Sequence, residues 1–267
     1  MPYTTHRPTA RVLDIMQLLS TSKEGCSLTE IATAISVPKS TIVPIIRTLC
    51  ERRFITQHGS NKYTVGISAL IVGSACLQDM DILELFKSQM KRIVSATSEA
   101  CQLGVLVGGD VLYLAKEESP EPIRLISFVG KRLPAYSTAI GKALLSEYTL
   151  QGLQTLYPQG LAPVTERTCT DFNRFYDECQ QGKTLGYFTD KEEISPGINC
   201  FSVPLSYHGH YIAAMSVSIP SFRLTEEKKE KTIAALKTSK EKLEHTFTEL
   251  NINDIDFFAK SFQSQPM

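Results

Sequence analysis

The sequence predicts an α+β protein in two parts: an N-terminal winged helix-turn-helix and a larger body of antiparallel strands and helices. Three observations carry this. Three short amphipathic helices and a hairpin follow one another within the first 66 residues. Farther along, the apolar period switches from helical to alternating and back, as an α+β pattern requires. The length, 267 residues, is long for one domain and comfortable for two.

The first helix is marked by Val12, Ile15, Met16 and Leu19, spaced i, i+3, i+4, i+7. The stretch Ser22-Lys23-Glu24-Gly25-Cys26 breaks it. Ser27 and Glu30 form an S-x-x-E capping box, in which each side chain satisfies a free backbone donor at a helix start. Leu28, Ile31, Ala32 and Ile35 then give a second stripe of about two turns. Ser36-Val37-Pro38 is a tight connection, with Pro38 placed where a first helical turn tolerates proline. The third stripe is Ile42, Ile45, Ile46 and Leu49.

In a helix-turn-helix the second helix of the pair enters the major groove. With its apolar stripe inward, this helix leaves Lys39, Ser40, Thr41, Val43, Pro44 and Arg47 facing out. Short hydroxyls reach phosphates or base edges, and arginine reads guanine or holds phosphate. Phe54–Gln57 reads as a strand, His58-Gly59-Ser60-Asn61 as a turn, and Lys62–Val65 as the return strand. That hairpin is a wing, which sets Lys62 beside the minor groove or backbone. Charge agrees: residues 1–65 hold eight Lys/Arg against four Asp/Glu, net +4, and the remainder holds 20 against 24, net −4.

These residues carry a resemblance. Leu28-Thr29-Glu30-Ile31-Ala32, Pro38-Lys39-Ser40-Thr41-Ile42, Arg47-Thr48-Leu49 and Tyr63-Thr64-Val65-Gly66 resemble the DNA-binding domain of IclR-type transcriptional regulators. The departure is Val43-Pro44, where the family has a polar or basic pair. A proline there removes a backbone donor and crowds the carbonyl of Ser40, so the helix either starts near Ser40 or bends. The pair offers no hydrogen bond to a base, only apolar contact to a thymine methyl.

Residues 67–78 read as a linking helix, with Leu70, Ile71, Ser74 and Leu77 on one side. Either it fills the core or, as the resemblance implies, it helps the heads dimerise. Ile82, Leu85, Phe86, Met90, Ile93 and Val94 mark a longer helix. Gly104–Val107 and Val111–Leu114 flank a Gly108-Gly109-Asp110 turn as a hairpin. Arg124–Val129 reads as a strand and Ser137–Leu145 as a helix. Phe201–Leu205 and Tyr211–Ile219 read as strands joined at His208-Gly209-His210, and Thr225 caps a last helix with Glu226 and Glu227 in its first turn. The expected division is a DNA-binding head over 1–66, a linker helix over 67–78, a body over 79–250 and a tail over 251–267 that either docks or frays.

The body is also similar to the IclR family. The matching runs are Gly130-Lys131-Arg132-Leu133-Pro134 with Thr138–Leu145, Ser195-Pro196-Gly197-Ile198-Asn199-Cys200 with Val203-Pro204, and Ala214–Ser218 before Arg223-Leu224-Thr225. The resemblance covers about residues 9 to 248. It implies a GAF-like fold that binds a small anionic effector, often an organic or sugar acid. It also implies that Ala139, Ile140, Asp190, Cys200, Ser216 and Ser218 contact that effector. Local chemistry fits: Ser137 or Thr138 caps a helix start whose free donors suit a carboxylate. Ser216 and Ser218 alternate on a strand and so share a face.

An enzyme built on Cys200 with His208 or His210 as base is the main rival. The histidines sit in a hairpin turn and no elbow motif surrounds Cys200. Two lone histidines also make no metal site, and Gly108-Gly109 lacks phosphate-loop spacing. The expectation is therefore no enzyme, no metal and no cofactor. Seven scattered cysteines fit a reducing cytosol rather than a disulfide framework. No apolar run is long enough for a membrane span, and no apolar stretch follows the N-terminus as in a secretory signal. The expected protein is a cytoplasmic, ligand-responsive transcriptional regulator, repression being the commoner outcome in the family. Its operator is double-stranded DNA, bound as a homodimer or as a tetramer made of two dimers.

Overall fold

The computed structural model describes residues 6–22, 24–59, 61–78, 81–121 and 128–249. The chain divides into two compact units, residues 1–79 and 80–267.

In the first unit, α1 (Arg7–Thr21) leads to the two-residue β1 (Cys26–Ser27), then α2 (Leu28–Ala34) and α3 (Lys39–Glu51). β2 (Ile55–His58) and β3 (Lys62–Val65) form the hairpin, and α4 (Ile67–Gln78) closes the unit. The capping box forms as expected: the Ser27 backbone N–H donates to Glu30 Oε2 at 2.6 Å, and the Glu30 N–H to Ser27 Oγ at 3.3 Å. The three stripes meet in one core of Ile15, Leu19, Ile31, Ala32, Ile42, Ile46 and Leu49, with Ile55 of the wing. β1 pairs with β3, so the wing is a three-stranded antiparallel sheet in the order β1-β3-β2. A two-residue strand has no periodicity to read.

One detail differs from the sequence reading. Pro38 is not inside the first turn of α3 but caps it, its carbonyl accepting from Thr41 N–H at 2.9 Å. The helix starts at Lys39 and runs through Pro44 to Glu51. Pro44 costs the bond its N–H would have made to Ser40, but both residues are exposed, so water can serve that carbonyl. The end of β3 turns into α4 at Gly66, where a Cβ would lie 2.4 Å from Arg53 O. Only glycine fits that approach. Along α4, Leu70 and Ile71 are each 63% exposed, so they do not fill the core of this unit.

In the second unit, α5 (Asp81–Thr97) precedes β4 (Ala100–Val107) and β5 (Asp110–Glu117), a hairpin turned at Gly108-Gly109. β6 (Arg132–Pro134) and a 3₁₀ turn (Ala135–Ser137) lead into α6 (Ala139–Leu145). α7 (Leu150–Leu156), α8 (Phe172–Leu185) and β7 (Phe188–Lys191) follow. β8 (Ile198–Tyr207) and β9 (His210–Pro220) turn at His208-Gly209, both with positive φ, and α9 (Glu226–Glu249) ends the unit. The sheet is antiparallel, in the order β6-β5-β4-β9-β8-β7.

The α+β architecture follows from period-2 burial on both sheet faces. On one face, α5 and α9 bury Phe86, Met90, Leu236, Leu243 and Phe247 against Cys101, Leu103, Phe201, Val203, Met215 and Val217. On the other, Ile140, Ala143, Leu144, Phe175 and Cys179 of α6 and α8 pack against Val111, Tyr113, Phe188 and Ala214. Residues 124–127 of the strand expected over Arg124–Val129 lie outside the described residues. Phe128 is not in a strand and Val129-Gly130 is a turn, with the unread β6 following at Arg132. The helix expected from Ser137 starts at Ala139, because Thr138 is extended and caps it. The tail, 251–267, lies outside the described residues.

Candidate nucleic-acid interface and ligand site

The α3 face is open. Lys39, Ser40, Val43, Pro44 and Arg47 are exposed and Thr41 is half-buried, as the inward apolar stripe dictates. Arg47 is not free: its Nε lies 3.0 Å from Glu51 Oε1, one turn on, and both side chains are solvated. Sequence reasoning missed Glu51, although i,i+4 spacing is a legible signal for such a pair. Thr48 is also exposed, and its hydroxyl donates to Pro44 O at 2.9 Å. On the wing, Lys62 Nζ lies 3.7 Å from Glu24 Oε2, so its ammonium leans toward the loop after α1.

The second site lies in the body, on the sheet face under α6. Register places Asp190 of β7 opposite Cys200 of β8, Cys200 opposite Ser218 of β9, and Ser216 opposite Gln102 of β4. Four side chains singled out in the sequence thus fall into one buried row: Asp190 is 0% exposed, Cys200 6%, and Ser216 and Ser218 4% each. Cys200 Sγ is 3.3 Å from Ser218 Oγ. Ser216 and Ser218 both donate to Gln102 Oε1, each at 3.2 Å. The row's fifth member, Gln102, was missed. Its signal was a polar residue inside an otherwise apolar strand pattern, Ala100–Val107.

α6 packs across β7, β8, β9 and β4, which brings Ile140 and Ala139 to this face. A Cβ on Gly104, two residues beyond Gln102, would meet Ile140 Cγ2 at 3.2 Å. Thr138 Oγ1 accepts from Gly141 N–H at 2.9 Å, so the cap itself takes one first-turn donor. Gly141 is required there, since a Cβ would fall 1.9 Å from Ala135 O. Lys142 anchors the helix from beneath. It is buried, with Glu193 Oε1 at 2.6 Å and Glu178 Oε2 at 2.8 Å. Burial alone would lower its pKa, but the Glu193 and Glu178 carboxylates outweigh that and hold the ammonium above its usual range.

Electrostatics separate this row from a catalytic centre. Burial, then the neighbouring Asp190, push the Cys200 thiol well above its ordinary value, the reverse of an activated nucleophile. His208 and His210 are exposed in the β8–β9 turn, and seven residues of strand separate Cys200 from Tyr207, roughly 23 Å. Burial pushes the Asp190 carboxyl up to about 7, against the pull of the Glu193 N–H that donates to its Oδ1 at 2.6 Å. Among the described residues, neither Asp190 Oδ2 nor Gln102 Nε2 has a hydrogen-bond partner.

A winged helix-turn-helix followed by an α+β body defines a class: a DNA-binding regulator in two parts. The chain belongs to the IclR family of bacterial transcriptional regulators. Residues 8–59 match the IclR helix-turn-helix domain and residues 74–245 the bacterial transcriptional regulator IclR C-terminal domain. The chain is 31% identical over 242 residues to the HTH-type transcriptional regulator KdgR of Escherichia coli (strain K12), covering 87% of this chain and 89% of that one. It shares its fold with an IclR transcriptional regulator from Alicyclobacillus acidocaldarius, at a TM-score of 0.82 and 24% identity over 91% of this chain and 99% of that one. An IclR homolog from Microbacterium hydrocarbonoxydans, crystallised with 4-hydroxybenzoate, superposes at a TM-score of 0.75 with 21% identity over 89% and 99%. The relatives and domains are those of transcriptional regulators rather than enzymes. No helix among the described residues is long and apolar enough to cross a membrane.

Proposed function

We propose that this regulator is a ligand-responsive repressor, acting in the cytoplasm on genes for the catabolism of a small organic or sugar acid. The observation that carries this reading is the buried polar row Asp190, Cys200, Ser218, Ser216. A domain that only needed to pack would fill that face with apolar side chains, because buried polar groups cost stability unless satisfied. With Asp190 titrating near neutrality, a metabolite anion meets an acid that is largely protonated below pH 7. Ala139 and Ile140 form the apolar side of the same site. The neighbour crystallised with 4-hydroxybenzoate is a relative in which a small aromatic acid is bound.

In the head, Lys39, Ser40, Thr41 and Arg47 approach phosphates and base edges. Val43 and Pro44 offer apolar contact to a thymine methyl, and Lys62 extends the contact from the wing. The heads work as a pair on double-stranded operator DNA, in a dimer or in a dimer of dimers, with α4 as the linker. Selection of bound fragments from sheared genomic DNA tests this. Enrichment of sites with two related half-sites supports the reading. Retention of DNA without regard to sequence, lost as salt rises, overturns it.

A further inference from the structure

We infer that Gln102 is a specificity-determining residue of the effector site, and that the ligand it selects is a small acid with a hydroxyl beside its acid group. This rests on the effector-site reading above. Gln102 is 1% exposed and sits on β4 with its side chain toward the Ser216 and Ser218 hydroxyls. Both hydroxyl protons go to its Oε1, so the two serine oxygens are left to accept. Its Nε2 carries hydrogens with no partner among the described residues. A buried amide donor without a partner is costly, and a ligand oxygen is the group that would repay it.

The two demands fix the ligand's chemistry. The Gln102 nitrogen needs an acceptor, and the serine oxygens need a donor. Nε2 shares its carbon with the Oε1 that both serines reach, so acceptor and donor must sit on the same or adjacent carbons. A carboxylate next to a hydroxyl-bearing carbon meets both. The Cys200 thiol keeps its proton, as its raised pKa requires, and can spend it on Ser218 or Asp190. Ser216 Oγ, whose proton goes to Gln102, is the acceptor open to the ligand hydroxyl.

The test uses the full chain with matched acids: glycolate, D- and L-glycerate and gluconate against acetate, propionate and hexanoate. Calorimetry and thermal shift are read on the wild type and on Gln102→Leu and Gln102→Met. At least one hydroxy acid should bind the wild type, and more tightly than its hydroxyl-free partner by at least about tenfold. Both variants should lose that discrimination while their ligand-free melting temperature stays within about 4 °C of wild type. Discrimination that survives in either variant overturns the role of Gln102 and leaves the effector site standing. Equal binding of hydroxylated and hydroxyl-free acids by the wild type overturns the ligand class, even if both variants fail to fold. Binding of no acid from either set overturns the effector-site reading and this inference with it.

Discussion

Asp190 shows what a single residue does on this face. Its folded pKa, about 7, lies above the ordinary value of 3.8, so the folded state holds a proton that the unfolded chain has released. Between about pH 4 and pH 7 stability therefore falls as pH rises, and the loss is complete above the folded value. Asp190→Asn removes the titration. The variant should melt higher than wild type at pH 8, and that advantage should vanish by pH 4, as thermal denaturation at the two pH values will report. In the head, Arg47 is the residue we propose to read a base, and its Nε lies 3.0 Å from Glu51 Oε1. Arg47→Ala should weaken operator binding by about 1–3 kcal/mol if it reads a base. Glu51→Gln should tighten it, since it removes a carboxylate from a face that meets phosphates; fluorescence anisotropy on a selected fragment measures both.

At the scale of elements, α6 packs its buried apolar residues against the sheet and carries a buried ion pair at Lys142. Lys142→Met would leave Glu178 and Glu193 facing each other without their shared cation, and should cost about 3–5 kcal/mol in denaturant unfolding. The elements differ in how legible they were. The head's helices were readable because each repeats its apolar stripe at i, i+3, i+4, i+7 and the capping box marks a start. The hairpins β4–β5 and β8–β9 were readable because alternation flanks a glycine turn. α8 went unread because only Phe175, Cys179 and Gly182 of its 14 residues are buried, too sparse a stripe to stand out. Its end signals were present: Asp171 caps the start by accepting from Arg174 N–H, and Gly186 ends it in the left-handed region. β6 and β7 are three and four residues long and take their identity from neighbouring strands. Within the candidate site, spacing alone placed Ser216 and Ser218 on one face. The resemblance grouped Asp190 and Cys200 with them, whereas joining Gln102 needed the pairing of β4 with β9, which no single stretch of sequence contains.

The whole molecule is a DNA-binding unit and an α+β unit on one chain, and the proposed function requires that a ligand in the second changes what the first does. Such coupling requires the effector to favour one state of the protein over another, by an amount that appears equally in ligand affinity and in DNA affinity. The charge partition suits the division, with a net +4 in the first 65 residues and −4 in the rest. The most direct test is the affinity for a selected operator fragment, titrated with and without a saturating acid that binds the body. The acid should weaken operator binding by about 5- to 150-fold, and Ser218→Ala should remove the effect. An operator affinity unchanged by an acid shown to be bound would contradict the proposed function.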